Sequence, residues 1–213
     1  DQQILQLYTA RAHGWDNGAA GPTGYQGHRL VAAATTQLKP LHTDTIIDAG
    51  CGTGLVGELL RTESHRLIGV DMSEPMLAQA RQKNVYDELH QGDLIAYLNG
   101  HPQSCDVVVS AATLIHFGDL DAVFAAAAQC LRPGGLFVCQ EICAGNGEPI
   151  ELPVPWASRP NQSHLADAES LRGLIRGAGL LERTWRDITA DIVAARKAQQ
   201  AKAQASGASG SRA

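Results

Sequence analysis

An acidic residue and three alternating glycines have the types and spacing that could bind a nucleotide-like ligand. Asp48 is followed by Gly50, Gly52 and Gly54, directly after the β-branched run at residues 45–47. Such a run predicts a strand buried on both faces, and the glycines allow the backbone to approach a ligand closely. Residues 55–60 then have a helical pattern, and the first N–H groups of a helix lack partners within it. The stretch therefore predicts a nucleotide-type site at the carboxyl end of a central strand.

Two kinds of nucleotide ligand compete for this loop. Gly52, Gly54 and Gly57 match the dinucleotide pattern G-x-G-x-x-G, but such a match is weak in a chain with 22 glycines. The dinucleotide interpretation leaves Asp48 without a role, because a carboxylate at the loop would repel a pyrophosphate. Asp48 instead favours a ligand with a positive end, such as S-adenosylmethionine with its ammonium and sulfonium groups. The remaining alternative is a tight strand–helix turn without a ligand, which is less favoured because closely spaced glycines cost entropy on folding.

Strand and helix patterns alternate along the rest of the chain. After the first strand, further strands are predicted at residues 66–70, 86–91, 106–110, 136–141 and 181–185. Buried strands that alternate with helices predict an α/β fold, a three-layer, doubly wound and mainly parallel sheet. Residues 190–204 have a helical composition, so the predicted sheet either has six strands, without a seventh, or is completed by a partner.

Several short motifs stand at the ends of these strands. Asp-x-Gly-x-Gly-x-Gly follows the first strand, Asp71 ends the second, Gly-Asp-Leu at residues 92–94 follows the third, and Leu-Arg-Pro-Gly-Gly at residues 131–135 precedes the fifth. Over residues 46–141 their order and spacing resemble class I (Rossmann-like) S-adenosylmethionine-dependent methyltransferases of the small-molecule type. The resemblance implies S-adenosyl-L-methionine as cofactor, S-adenosyl-L-homocysteine as product, and no metal.

The resemblance also implies which residues contact the cofactor. It assigns the ribose hydroxyls to Asp71 and the adenine amino group to Asp93. Met72 and Met76 are expected at the adenine, with core packing as an equal alternative. The full set of expected cofactor residues is Asp48, Gly50, Cys51, Gly52, Gly54, Asp71, Met72, Met76, Gly92, Asp93, Leu94, Ser110, Tyr8 and Arg11.

The acceptor side is expected to be built from two segments and His116. Residues 1–43 form an N-terminal lid and residues 142–166 a substrate-side insertion, and these contribute the substrate contacts Trp15, Tyr25 and Trp156. The alternative is that the aromatic residues only pack onto the core. His116, just beyond the fourth strand, is the candidate general base because its ordinary pKa is near neutral. The competing interpretation is that His116 only shapes the pocket.

Composition limits the remaining classes of function. The net charge of −5 gives no indication that the protein binds nucleic acid. No apolar run approaches the ~20 residues that span a membrane. Five cysteines without a C-x-x-C pair argue against a disulfide framework or a zinc site and favour a cytoplasmic protein. The expected partner is a small-molecule methyl acceptor, with neither nucleic acid nor membrane, and a homodimer is an open possibility.

We therefore expect one domain over residues 1–204 with a flexible tail at residues 205–213. Three functions stay open. The first is methyl transfer to an O, N or C atom of a small metabolite. The second is a nicotinamide-dependent oxidoreductase. The third is a methyltransferase-like fold that binds S-adenosylmethionine without methyl transfer.

Overall fold

The centre of the molecule is a five-stranded, fully parallel sheet in the order β3-β2-β1-β4-β5. The computed structural model describes residues 6, 9, 12–16, 26–40, 43–145, 150–154, 156–157, 159–194 and 197. The strands are β1 (Thr45–Ala49), β2 (Arg66–Asp71), β3 (Glu88–Gln91), β4 (Cys105–Ala111) and β5 (Leu131–Gln140). The helices are α1 (Gly27–Leu38), α2 (Leu55–Leu60), α3 (Glu74–Lys83), α4 (Leu94–Asn99), α5 (Leu120–Cys130) and α6 (Ala168–Gly177).

Alternate residues of the sheet bury against helices on opposite faces. Ile46 belongs to an apolar cluster with Val31 of α1 and Leu60 of α2. Its neighbour Ile47 belongs to the other cluster, which includes residues of α4 and α5. All five positions of β1 are buried, as the β-branched run predicted. The predicted three-layer, doubly wound sheet is confirmed.

The strand order reverses direction at β1. The chain builds β2 and β3 on one side of β1 and then crosses to place β4 and β5 on the other side. Ligands bind at such a switch point, outside the carboxyl ends of the strands. The glycine loop after β1 opens at this point.

The fifth strand begins earlier than the sequence predicts. Leu131 pairs with Cys105 and Leu136 pairs with Val107, so residues 132–135 bulge out of the ladder. Arg132 in this bulge contacts Asp106 at 2.9 and 3.0 Å, and Asp106 also accepts the N–H groups of Asp44 and Thr45. The Arg-Pro-Gly-Gly segment therefore ties β5 to the starts of β1 and β4.

The predicted sixth strand is wrong. Residues 181–188 form no strand, and Leu181 is 90% exposed. Side chains hold this segment against α6 instead: Glu182 accepts from Arg172 at 2.7 Å, and the Arg172 guanidinium lies 5.1 Å from the centre of the Trp185 ring. Residues 189–194 are helical, as the pattern over 190–204 predicted for its start. Within the described ranges there is no seventh strand and no helix that is both long and apolar enough to span a bilayer.

Candidate functional site

The glycine loop after β1 is tied to β2 and to the turn after β4. The N–H groups of Gly50 and Cys51 both donate to the Val70 carbonyl, at 2.9 and 3.0 Å. Gly50 has φ +76°, and a Cβ built on it would overlap the side chain of Thr113. Glycine at residue 50 is therefore required by both its backbone conformation and this close approach.

Asp48 lies beneath the loop and is wholly buried. Its Oδ2 accepts a hydrogen bond from the Tyr86 hydroxyl at 2.6 Å, and burial raises its pKa to about 7. The sequence analysis did not assign Tyr86 to the site. Its ring packs so closely on Gly57 that a Cβ there would overlap it. Packing against Tyr86 thus accounts for the third glycine of the dinucleotide pattern, while cofactor contact by Asp48 stays a prediction.

Asp71 joins the end of β2 to the glycine loop. Its Oδ2 accepts from the Gly52 N–H at 2.9 Å and its Oδ1 from the Ser73 N–H at 2.8 Å. Burial raises the pKa of Asp71, and these two N–H groups oppose the increase. Each carboxylate oxygen can accept a further bond, so the geometry is compatible with the predicted ribose contact.

The other residues predicted at the adenine differ in exposure. Met72 is 48% exposed beside Asp71, whereas Met76 is 2% exposed, which favours the packing interpretation for Met76. Asp93 caps α4 by accepting the Ala96 N–H at 2.8 Å, and Leu94 is buried behind it. The Gly92 N–H donates to the Asp71 carbonyl at 3.1 Å, which brings the ends of β2 and β3 together.

His116 and Ser110 lie at the carboxyl end of β4. Ser110 is buried, and its Oγ has no hydrogen-bond partner within the described part of the chain. His116 ends the 3₁₀ turn Leu114–His116, and His164 reaches this turn by donating its backbone N–H to Ile115. Burial, with a smaller contribution from His164, lowers the pKa of His116 to about 4. The imidazole is therefore neutral at pH 7, but it is a weak base.

Glu141, directly after β5, is a second residue that the sequence analysis missed. Its Oε1 accepts the N–H groups of Thr113 and Leu114, at 3.0 and 3.1 Å. Burial raises its pKa to about 7. The signal that identified Asp71, an acidic residue at the end of a buried parallel strand, applies equally to Glu141.

Part of the predicted lid lies on the glycine loop. Asp16 accepts from the Thr53 hydroxyl at 2.5 Å and pairs with Lys83 at 2.8 Å, and His13 contacts Gln79 of α3. Trp15 belongs to this described piece, whereas Tyr8, Arg11 and Tyr25 lie outside the described residues. Trp156 donates its indole N–H to Ser163 within the predicted insertion. The substrate roles of these aromatic residues stay predictions.

Comparison with known proteins agrees with this architecture. Residues 47–139 match the family model described as a methyltransferase domain. The malonyl-(acyl-carrier protein) O-methyltransferase of Yersinia pestis is 32% identical over 78% of this chain and 59% of its own length. The ubiquinone biosynthesis O-methyltransferase of Sodalis glossinidius is 32% identical over 42% of this chain and 38% of its own length. The chain thus spans 59% and 38% of these two relatives, less than two thirds of either.

Among solved structures, phosphoethanolamine N-methyltransferase 2 of Haemonchus contortus, in complex with S-adenosyl-L-methionine, has the same fold. It superposes with a TM-score of 0.72 at 22% identity, over 94% of this chain and 46% of that one. The fold is the Rossmann-like fold of class I. Residues 47–139 match a methyltransferase domain, and the chain is similar to S-adenosylmethionine-dependent methyltransferases over that part.

Proposed function

We propose that this chain transfers a methyl group from S-adenosylmethionine to an oxygen atom of a small-molecule acceptor. The observation that carries the choice of cofactor is the match of residues 47–139 to a methyltransferase domain. An acidic residue at the end of β2, such as Asp71, suits the ribose of S-adenosylmethionine and of a nicotinamide dinucleotide alike, so it does not separate the two. The packing of the Tyr86 ring on Gly57 accounts for the third glycine of the dinucleotide pattern without a pyrophosphate.

The residues present fit S-adenosylmethionine. In this proposal the backbone of residues 50–54 borders its methionine part, Asp71 accepts from the ribose and Asp93 from the adenine amino group. Met72 supplies an exposed apolar side chain next to Asp71. When bound, the cofactor supplies a methyl group that its sulfonium has already activated, so the proposal includes no metal ion. Activity that survives a metal chelator would support that part.

The choice of an oxygen acceptor rests on the two O-methyltransferase relatives and on the chemistry of His116. In the proposed reaction, the protein holds the acceptor atom in line with the methyl group, and such positioning can supply ~7–11 kcal/mol in ideal cases. A hydroxyl acceptor benefits from a general base whose pKa is near the working pH. The lowered pKa of His116 makes it a poor base, so the site suits an acceptor that is already ionised, such as a carboxylate.

We also propose one domain over residues 1–204, with a lid at 1–43 and an insertion at 142–166. The proposal keeps a small-molecule acceptor without nucleic acid or membrane as partners, and a homodimer stays open. All five cysteines are free thiols, which supports the predicted cytoplasmic location.

Two measurements test the function. Calorimetry with S-adenosylmethionine, S-adenosylhomocysteine and NAD should show binding of the first two only; binding of NAD alone would contradict the proposal. An assay with S-adenosylmethionine labelled in its methyl group should then compare transfer to carboxylates, including a malonyl thioester, with transfer to phenols and amines. Transfer to amines alone would overturn the choice of oxygen.

A further inference from the structure

The turn that follows β4 is not stable by its own geometry. Ala112 has φ +53°, which is uncommon for a residue other than glycine, and the 3₁₀ turn Leu114–His116 follows at once. The first N–H groups of any helical turn have no partner within it. Residues 112–116 therefore depend on neighbouring groups to hold this conformation.

Residues from the end of β5 supply those groups. The Gln140 carbonyl accepts from the Ala112 N–H at 2.8 Å. Glu141 Oε1 then accepts from both Thr113 and Leu114, across 28 and 27 residues of chain. The carboxylate acts as a long-range cap on the turn that carries His116.

The opposite side of the same turn touches the glycine loop. The Thr113 hydroxyl donates to the Gly50 carbonyl at 3.4 Å, and the Thr113 side chain fills the space beside Gly50. A displacement of Thr113 would therefore move the glycine loop as well as His116. Glu141, which the proposed mechanism does not use, fixes the distance between the two halves of the site.

We infer that Glu141 is a positioning residue for methyl transfer, which holds the 112–116 turn against the glycine loop by accepting hydrogen bonds through Oε1. Only the expected effect on turnover rests on the proposed function. The role of Glu141 requires a side chain long enough to reach both amides and an oxygen that can accept from them. It does not require a negative charge.

Two substitutions separate reach from charge. Glu141→Gln keeps the length of the side chain and an acceptor oxygen but removes the charge. Glu141→Asp keeps the charge but shortens the side chain by one methylene, so that it no longer reaches both amides. Asp167→Ala is the matched control, because Asp167 likewise accepts a backbone N–H at the start of a helix, at 2.9 Å from Ser170, outside the residues assigned to the site.

The first readout is amide hydrogen exchange of residues 113–116 in the full chain. We expect wild-type protection in Glu141→Gln and Asp167→Ala, and exchange at least tenfold faster in Glu141→Asp. This readout needs no methyl transfer, so it tests the cap even if the proposed function fails. Equal protection in both Glu141 variants would overturn the inference.

The second readout is turnover with the best acceptor. We expect kcat within threefold of wild type for Glu141→Gln and Asp167→Ala, and at least tenfold lower for Glu141→Asp, with KM changed less than threefold. An active Glu141→Asp with an impaired Glu141→Gln would show that charge matters and would overturn the inference. Wild-type protein that binds no S-adenosylmethionine would instead contradict the proposed function.

Discussion

Three carboxylates stand at the carboxyl edge of the sheet, Asp48 fully buried and the other two partly buried, and each is held by a different set of donors. Asp48 binds the hydroxyl of Tyr86, Asp71 binds two loop amides, and Glu141 binds the turn after β4. Burial favours the protonated form of such groups, whereas the donors favour the charged form. The balance between them decides how each acid responds to pH.

Asp48 should make the stability of the fold depend on pH. Its pKa is about 7 in the folded chain and near the ordinary value of 3.8 when unfolded, because burial raises it. The folded state therefore binds the extra proton between these values, and the free energy of unfolding falls as pH rises through this window. Relative to Asp48→Asn, the wild type should lose roughly 2–4 kcal/mol between about pH 4 and pH 7.

Denaturant unfolding of the wild type and Asp48→Asn at several pH values checks this. Asparagine keeps an oxygen that can accept from Tyr86. The exposed Asp121, changed to Asn, is the control and should show no such trend. A pH-independent difference between the wild type and Asp48→Asn would contradict the burial argument.

Asp71 should matter for the cofactor more than for the fold. Loss of a hydrogen bond to a charged acceptor costs ~1.5–3 kcal/mol, so Asp71→Ala should weaken S-adenosylmethionine binding by roughly 10–150-fold. Calorimetry with the cofactor and with S-adenosylhomocysteine measures this, and Asp121→Ala is the control. Unchanged affinity in Asp71→Ala would remove Asp71 from the cofactor site.

Glu141 and Tyr86 were not predicted from the sequence, for two different reasons. Asp71 could be predicted because a carboxylate stood at the end of a clear strand pattern. Glu141 stands in the same relation to β5, so the same pattern could have identified it. Tyr86 could not be predicted, because its contacts with Asp48 and Gly57 join three elements that are distant in sequence. Single-sequence patterns do not contain such contacts.

At the scale of elements, strands were predictable where burial dictated their composition. The β-branched or apolar runs of β1, β2 and β4 are buried on both faces, so their residue types and their structure agree. Residues 181–185 were predicted as a strand from a few apolar residues, yet Leu181 is exposed and Trp185 packs beside Arg172. Trp185 packs against α6, and this contact needs no backbone pairing.

The N-terminal segment should close further on the loop when the cofactor binds. Asp16 contacts Thr53 of the loop and Lys83 of α3, so ordering this segment and binding the cofactor should favour each other. Asp16→Asn should weaken binding of S-adenosylhomocysteine by about fivefold, the equivalent of ~1 kcal/mol for one hydrogen bond. Hydrogen exchange of residues 12–16, with and without this ligand, checks the coupling. Asp121→Asn is again the control, and equal exchange in both states would exclude a lid role.

At the scale of the whole molecule, the strand order places the motifs that follow β1, β2 and β3 on one edge of the sheet. Because all five strands are parallel, their carboxyl ends meet there. The order of the motifs along the chain predicted the fold, and the location of the site at this edge stays a prediction. The segments that are predicted to face the acceptor come from outside the sheet, and this regular pattern gives no information about them.

Cofactor binding should stabilise the whole fold. A ligand at 100 times its Kd adds ~2.7 kcal/mol to the free energy of unfolding, which corresponds to about 5–10 °C in Tm for a chain of this size. S-adenosylhomocysteine should produce this shift in a thermal melt, and NAD at the same concentration should not. An increase in Tm with NAD alone would instead indicate a dinucleotide-binding protein.

The packing of Tyr86 on Gly57 also restricts the order in which this sequence can evolve. Alanine at residue 57 would collide with the Tyr86 ring, and a smaller residue at 86 would remove the hydroxyl that Asp48 accepts from. Each substitution is harmful alone, and the first becomes tolerable only after the second. The two positions are therefore epistatic. Residue 48 is coupled to them as well, because Asp48 accepts its hydrogen bond from Tyr86. Homologues that have lost Gly57 should also have replaced the tyrosine.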